Sequence, residues 1–239
     1  MHICYIIAMQ AEAQPFIERF GVTLREDFFS PLPCQLYEKH NDEDDSRLSI
    51  VTLGRSHDRD LLGCEAATLA THAAIERLKP DLVINSGTCG GWERKGAEIG
   101  KVYVADGVIF HDRRVPGDDN WGTQGVGNYP VWEHSEDVAS QLSLDMGRVT
   151  TGSSLDLQPC DEVIIEREGG ELKDMEGAAV AFVCSLMGVP VMLVKSVTDL
   201  CDDGADTLET FLQNLKKASE KLSEANERLV KLLFSRYSS

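Results

Sequence analysis

Val189-Pro190-Val191-Met192-Leu193-Val194-Lys195-Ser196-Val197-Thr198-Asp199-Leu200 is the stretch that settles the fold class. Its apolar residues stand on consecutive positions from Val189 to Val194, which suits a β-strand covered on both faces. Just upstream, Met175-Glu176-Gly177-Ala178-Ala179-Val180-Ala181-Phe182-Val183-Cys184 is apolar around its full circumference and predicts a buried helix. A doubly covered strand beside a buried helix belongs in a layered α/β domain, and the same alternation holds outward along the chain. Strands are expected at 2–8, 48–53, 81–86, 101–110, 148–151 and 190–197, with helices near 10–20, 61–78, 175–187 and 207–234. The pattern predicts a largely parallel sheet with helices packed on it. In the last helix Leu208, Phe211, Leu212, Leu215, Leu222, Leu229 and Leu233 recur at three, four and seven residues, so it should close over one sheet face. Segment 112–136 contains Arg113, Arg114, two prolines, four glycines and two tryptophans without periodicity, and reads as a long loop. No internal repeat and no low-complexity linker interrupts the pattern, so residues 1–239 read as one domain.

The 239 residues are 42% hydrophobic, enough for a sizeable core, and carry 40 acidic against 23 basic side chains, a formal net charge of −17. A field of that sign repels phosphate backbones and anionic lipid heads, which argues against nucleic acid and membrane surfaces as partners. No apolar run approaches the roughly 20 residues that span a bilayer. Residues 3–9 are apolar, but no basic segment precedes them and no small-residue cleavage site follows. They read as a first strand rather than a signal peptide, and a cytoplasmic location is expected. The seven cysteines include no CxxC pair and the six histidines no HxxxH or HxH spacing, so neither a disulfide framework nor a metal site is indicated. Cys4 and Cys184 lie in apolar runs and read as core fillers. Cys89, in a glycine-rich turn, is open to two readings, a nucleophile or a small packed residue.

Three carboxylates have apolar neighbours, whereas the other acids cluster on polar stretches. Glu12 follows the first strand in Ala8-Met9-Gln10-Ala11-Glu12-Ala13, where it is either a solvated first-turn residue favoured by the helix dipole or a functional group. Glu176 stands at the mouth of the buried helix, with Asp174 as a candidate N-cap. It needs partners, which backbone amides or the hydroxyls of a bound sugar could supply. Asp199 comes at the C-terminal end of the most apolar strand, the place where open α/β sheets bind ligands, although Thr198-Asp199 also suits a capping turn. Asn85-Ser86-Gly87-Thr88-Cys89-Gly90-Gly91 follows the strand Leu82-Val83-Ile84. It is neither a GxGxxG nor a Walker loop, and reads as a strand-end loop whose glycines let a small ligand come close.

The blocks IAMQAEA (7–13), INSGTCGG (84–91), FHDRR (110–114), KDMEGAAVA (173–181) and KSVTDL (195–200) together resemble the 5′-methylthioadenosine/S-adenosylhomocysteine nucleosidases, most of all their plant-type branch. The resemblance runs from the first strand to the last helix. It implies a nucleoside phosphorylase-like fold: one three-layer α/β/α domain around a central twisted mixed sheet. It also implies a homodimer, in which a partner's loop, here 112–136, closes the alkylthio pocket. The implied reaction, part of methionine salvage, hydrolyses the N-glycosidic bond of methylthioadenosine to adenine and methylthioribose, and several members also accept S-adenosylhomocysteine. By this resemblance Glu12 is the general base that activates water, and Asp199 the acid that protonates N7 of adenine. Glu176 holds the ribose hydroxyls, with Met175 packing nearby and Lys173 and Asp174 in the same block. Thr88 contacts water or ribose beside Gly90, Met9 packs on the sugar, and Leu155 offers backbone groups to adenine, with Thr198 beside the acid. No metal or organic cofactor is implied, since proton transfers alone can drive the hydrolysis.

Three positions depart from the family pattern. Lys195 replaces an arginine of bacterial members, Ser153 stands where Asp is usual, and Leu208 where bacterial members stack an aromatic ring on the base. The resemblance leaves two rivals. A phosphorylase on this fold would need a phosphate pocket of glycine and arginines at the first strand end. Glu12 stands there, while Arg55 and Arg59 could supply cations from residues 54–63. A non-catalytic nucleoside-binding storage protein would be expected to lose a carboxylate and carry a secretory signal.

Overall fold

The computed structural model describes residues 1–116, 119–204 and 206–237. In chain order its elements are β1 (His2–Ile7), α1 (Gln10–Phe20), β2 (Thr23–Arg25), β3 (Gln35–Asn41), β4 (Ser46–Thr52), β5 (Arg55–Ser56), β6 (Arg59–Asp60), α2 (Gly63–Leu78), β7 (Leu82–Gly91), β8 (Val102–Phe110), α3 (Asp119–Val126), α4 (Ser135–Leu142), β9 (Asp145–Thr151), α5 (Pro159–Arg167), β10 (Leu172–Asp174), α6 (Gly177–Met187), β11 (Val191–Leu200) and α7 (Thr207–Tyr237).

Successive residues of a strand point to opposite faces, so an unbroken apolar run must feed two cores. In β1, Cys4 and Ile6 enter one core while Ile3, Tyr5 and Ile7 enter the other; in β11, Leu193 and Val197 oppose Met192 and Val194. One core packs the sheet against α2 and α6 through small residues, Ala67, Ala70 and Ala74 facing Ala178 and Ala181, which lets the helices lie close. The other packs it against α1, α4 and α7 through Phe16, Val138, Leu142, Leu222, Leu229 and Leu233. Each large apolar side chain so buried contributes roughly 1.5–3 kcal/mol. The result is three layers, helices on both faces of the sheet.

The nine-stranded sheet runs β10-β9-β8-β11-β7-β1-β4-β3-β2. It is mixed: β4, β1, β7 and β11 run parallel, but β11 meets β8, and β3 meets both β2 and β4, in antiparallel fashion. β10 pairs with β9 on one side and with the far end of β7 on the other, so β7, β11, β8, β9 and β10 close into a small barrel. That closure carries residues 172–174 to the last residues of β7 and β11.

Several expected boundaries shift. Asn85–Gly91, expected as a loop, is the second half of β7, and Thr198-Asp199 lies within β11 at a β-bulge between Val197 and Asp199 rather than in a capping turn. Segment 112–136 is not all loop. It contains α3 and the start of α4, and Tyr129 forms an isolated bridge to Val108; Gly117 and Asp118 of that segment lie outside the described residues. In α7 the buried stripe begins only at Ala218, while Leu208 and Leu212 are exposed. The first turns of that helix overhang the C-terminal end of β11, where Asn214 Nδ2 donates to the Thr198 carbonyl at 3.0 Å.

Candidate active site

The parallel strands β1, β7 and β11 end side by side, and α1 and α6 start there. Glu12 enters from α1. Met9 is that helix's N-cap and Glu12 its third residue, so the carboxylate turns back and its Oε2 accepts the Met9 N–H at 3.2 Å. Its Oε1 accepts both the backbone N–H and the hydroxyl of Thr88, each at 2.7 Å. Glu12 is therefore buried with three donors on it, and Gly87 beside it leaves no Cβ to crowd Oε1. The solvated first-turn alternative does not hold.

Asp199 stands opposite Gly90 across the β11–β7 pairing. A Cβ on Gly90 would come within 2.9 Å of Asp199 Oδ2 and 2.8 Å of Cys201 Sγ, so glycine there makes room for the carboxyl. Burial pushes the Asp199 pKa up, against the Thr198 hydroxyl and the Lys173 cation, which pull it down. Thr198 Oγ1 lies 2.7 Å from Asp199 Oδ1 and 3.2 Å from the Cys89 carbonyl oxygen. Its single proton serves one of them at a time, so it can support Asp199 as an anion or turn to Cys89 when Asp199 is protonated.

Glu176 occupies the N-cap position of α6, but the capping bond comes from Asp174, whose Oδ2 accepts the Gly177 N–H at 2.8 Å. Glu176 Oε1 instead accepts the N–H of Gly63, the first residue of α2, at 2.8 Å. Burial and the nearby Asp174 push its pKa up to about 7, offset in part by Lys195 and that N–H. Lys195 Nζ meets Asp174 Oδ2 at 2.6 Å, both side chains almost fully buried. Burial opposes the lysine charge, but Asp174 and Glu176 outweigh it and hold the amine above its ordinary value. Thr151 completes the knot, donating to Asp174 Oδ1 at 2.5 Å and accepting from Ala178 N at 2.8 Å.

Residues 152–158 form an irregular strap between β9 and α5. Lys173 Nζ donates to the carbonyls of Ser154 at 2.7 Å and Leu155 at 2.9 Å, and the Ser153 N–H donates to Asp112 Oδ2 at 2.7 Å.

A cavity of about 210 Å³ opens among these groups. Met9, Glu12, Thr88, Gly90, Leu155, Lys173, Asp174, Met175, Glu176, Thr198 and Asp199 all line it, so the structure gathers in one place the residues to which the resemblance gives a catalytic or substrate-binding role, while Ser153 and Lys195 stay outside its wall. Ala8, Leu62, Cys89, Leu208 and Phe211 complete the wall. Phe211 carries a helical-stripe signal that points to the core, and only the overhang of α7 turns it to the cavity. Cys89 is buried with its thiol pushed well above the ordinary value by burial, which suits packing rather than nucleophilic attack. Arg55 and Arg59 lie on the exposed β5–β6 hairpin and do not line the cavity, and neither does any other arginine among the described residues. The chamber thus offers a triply held carboxylate, a carboxyl whose pKa burial raises, a third acid in the same wall, and apolar walls. That set suits proton traffic on either side of a small, partly apolar ligand.

Residues 2–231 match the family model of the phosphorylase superfamily. The chain is 41% identical over 240 residues to the 5′-methylthioadenosine nucleosidase of Arabidopsis thaliana, an alignment covering 98% of this chain and 88% of that protein. It is 38% identical over 240 residues to a 5′-methylthioadenosine/S-adenosylhomocysteine nucleosidase of the same plant, covering 95% and 90%. Among solved structures, that of Arabidopsis thaliana 5′-methylthioadenosine nucleosidase in apo form superposes with a TM-score of 0.94 at 40% identity, over 98% of this chain and 96% of that one.

Proposed function

The chain belongs to the phosphorylase superfamily and, within it, to the 5′-methylthioadenosine nucleosidase family, and from that premise we propose that it hydrolyses the N-glycosidic bond of 5′-methylthioadenosine to adenine and methylthioribose. One observation carries the reading: Glu12 and Asp199, buried in unlike surroundings, line the same small cavity with Glu176. Departure of adenine leaves an oxocarbenium-like sugar and requires a proton on the leaving base. Asp199, inclined by burial to keep its proton, delivers it to N7. Glu12 takes a proton from the attacking water, with Thr88 fixing its orientation. Glu176 receives the ribose hydroxyls, Met9 and Met175 pack on the sugar, and the strap at Leu155 meets the base beside Thr198 and Gly90.

Two proton transfers with positioned carboxyls are each worth about 10² to 10⁴ in rate. A phosphorylase reading finds no support in the wall of the cavity, since a carboxylate occupies the first strand end and, among the described residues, no arginine lines it.

The reading extends to S-adenosylhomocysteine as a second substrate, to one catalytic domain over 1–239, and to a cytoplasmic homodimer serving methionine salvage. Exposed Leu69 on α2 and Leu186 on α6 supply an apolar face for the second copy. No helix among the described residues is long and apolar enough to cross a membrane.

The test is product analysis with methylthioadenosine, without phosphate and then with it. Adenine and free methylthioribose at a rate indifferent to phosphate support the proposal. A sugar phosphate formed only with phosphate replaces it with a phosphorylase, and no adenine under either condition leaves a binding protein.

A further inference from the structure

Lys173 has surroundings that the proton transfers above leave unused. Its Cα pairs with Gly90 across β10 and β7, and Asp199 pairs with the same Gly90 from β11. Three strands therefore lie abreast with the one in the middle lacking a side chain, and the space over Gly90 is taken by Asp199 and Cys201, with Lys173 on the far side of the glycine. The Lys173 ammonium is buried, and it spends two of its three protons on the Ser154 and Leu155 carbonyls. Bonds from a charged donor are the stronger kind, so they hold in place a strap whose residues Ser154 and Leu155 are themselves exposed. We propose that Lys173 is a positioning residue that joins the two halves of the base subsite: it clamps the Ser154–Leu155 strap over the cavity while its charge faces the Asp199 carboxyl across Gly90. The inference rests on the nucleosidase reading, and gives this one side chain two effects that separate on measurement.

The first is on the strap. Without the ammonium its two carbonyls lose their donor, leaving the strap tied at its start by the Gly152 N–H on the Asp174 carbonyl and the Ser153 N–H on Asp112, so the base is captured by a looser edge. The second is on the acid. The Lys173 cation favours the Asp199 anion, while burial opposes it. The other titratable groups around the pair are the acids Cys201 and Asp203 on the Asp199 segment, Cys89 on β7, Asp174 beside Lys173 and Asp156 on the strap, and the bases His111, whose pKa burial and the Lys173 charge lower, Lys195, paired with Asp174, and Arg94, paired with Asp202 and Glu166. Removing the cation therefore leaves Asp199 protonated to higher pH. Asp199 acts in its protonated form, so the basic limb of the rate profile moves upward, a displacement that loss of packing alone has no reason to produce.

The experiment compares kcat and KM for methylthioadenosine across pH in the wild type, Lys173→Met, Lys173→Gln and Lys173→Arg. Lys173→Met should raise KM about tenfold or more. Its basic limb in kcat/KM should move up by about half a pH unit or more. Lys173→Arg, which keeps charge and donors, should leave that limb in place. Lys173→Gln, neutral but polar, should move the limb as Lys173→Met does, and it decides the matter if the methionine variant does not fold. An active wild type whose neutral variants keep KM within about twofold and the limb unmoved overturns this inference alone. A wild type that releases no adenine overturns the nucleosidase reading and this inference with it.

Discussion

Glu176→Gln should make the ligand-free protein more stable while crippling it as an enzyme. Glu176 is buried, and its pKa is pushed up to about 7 from an ordinary 4.5, first by burial and then by Asp174. In the unfolded chain the carboxyl ionises near its ordinary value. Between pH 4.5 and 7 the native state therefore binds more protons than the unfolded state, and stability falls as pH rises through that window. At 1.36 kcal/mol per pH unit, the full cost at pH 8 is about 3 kcal/mol. Glutamine keeps the Oε1 acceptor for the Gly63 N–H and cannot ionise, so it removes the cost without removing the bond. Allowing for context dependence, the gain should be about 1 to 3 kcal/mol at pH 8, or a rise in Tm of roughly 3 to 10 °C for a chain of this size. Near pH 4.5 both proteins are neutral at this site and the gap should close. Calorimetry of the two proteins at pH 5 and pH 8 measures it directly. A glutamine variant no more stable at pH 8, or more stable by the same amount at both pH values, would refute the reasoning. In the assay, KM for methylthioadenosine should rise, because an amide holds two ribose hydroxyls less well than a carboxylate. Unchanged kinetics would take Glu176 out of the sugar subsite.

Glu12→Gln and Asp199→Asn should each lower kcat by about 10² to 10⁴ with circular dichroism and Tm near wild type, and near-normal turnover in either would remove that residue from the proton transfers. Gly90→Ala places a methyl 2.9 Å from Asp199 Oδ2 and 2.8 Å from Cys201 Sγ, so kcat should fall about tenfold or more as the acid is displaced; an unaltered kcat would show the carboxyl need not sit there. Lys195→Met breaks a 2.6 Å pair between almost fully buried groups and should cost about 3 to 5 kcal/mol in denaturant unfolding. The double variant Lys195→Met/Asp174→Asn should recover part of that loss, and a double variant as unstable as the sum of the singles would show that the pair is not coupled.

The parts of this molecule that could be read from its sequence are those in which one local rule acts alone. β1, β11 up to Asp199 and most of α6 up to Cys184 are buried, and unbroken apolarity records that whatever the neighbours are. Elements that owe their form to distant pairing leave no such record. β10 is three residues long and is a strand because β9 and β7 hold it on either side. β3 lies next to the edge strand with polar residues over much of its length, and α3 contains two glycines in eight residues. The same division runs through the active site. Glu12, Glu176 and Asp199 were legible because each breaks a local expectation, a charge among apolar neighbours whose cost must be met somewhere. Their supports break none. Phe211 fits a helical stripe, Lys173 and Gly90 are ordinary residues in their runs and are marked only by the family resemblance, and Gly87 and Gly90 suit the turn that the segment turns out not to be. Glycine weakens a strand, so its presence in β7 argued locally for a loop. The strand persists because β11 pairs with it from Val83 to Gly91 and β10 with Gly90 and Gly91, and the glycines persist because carboxylates 75 and 109 residues away in sequence need the room their missing side chains leave. A residue that violates its local rule marks where a site is, whereas one that obeys its rule for a distant reason leaves no local mark and is found through relatives or through the folded chain.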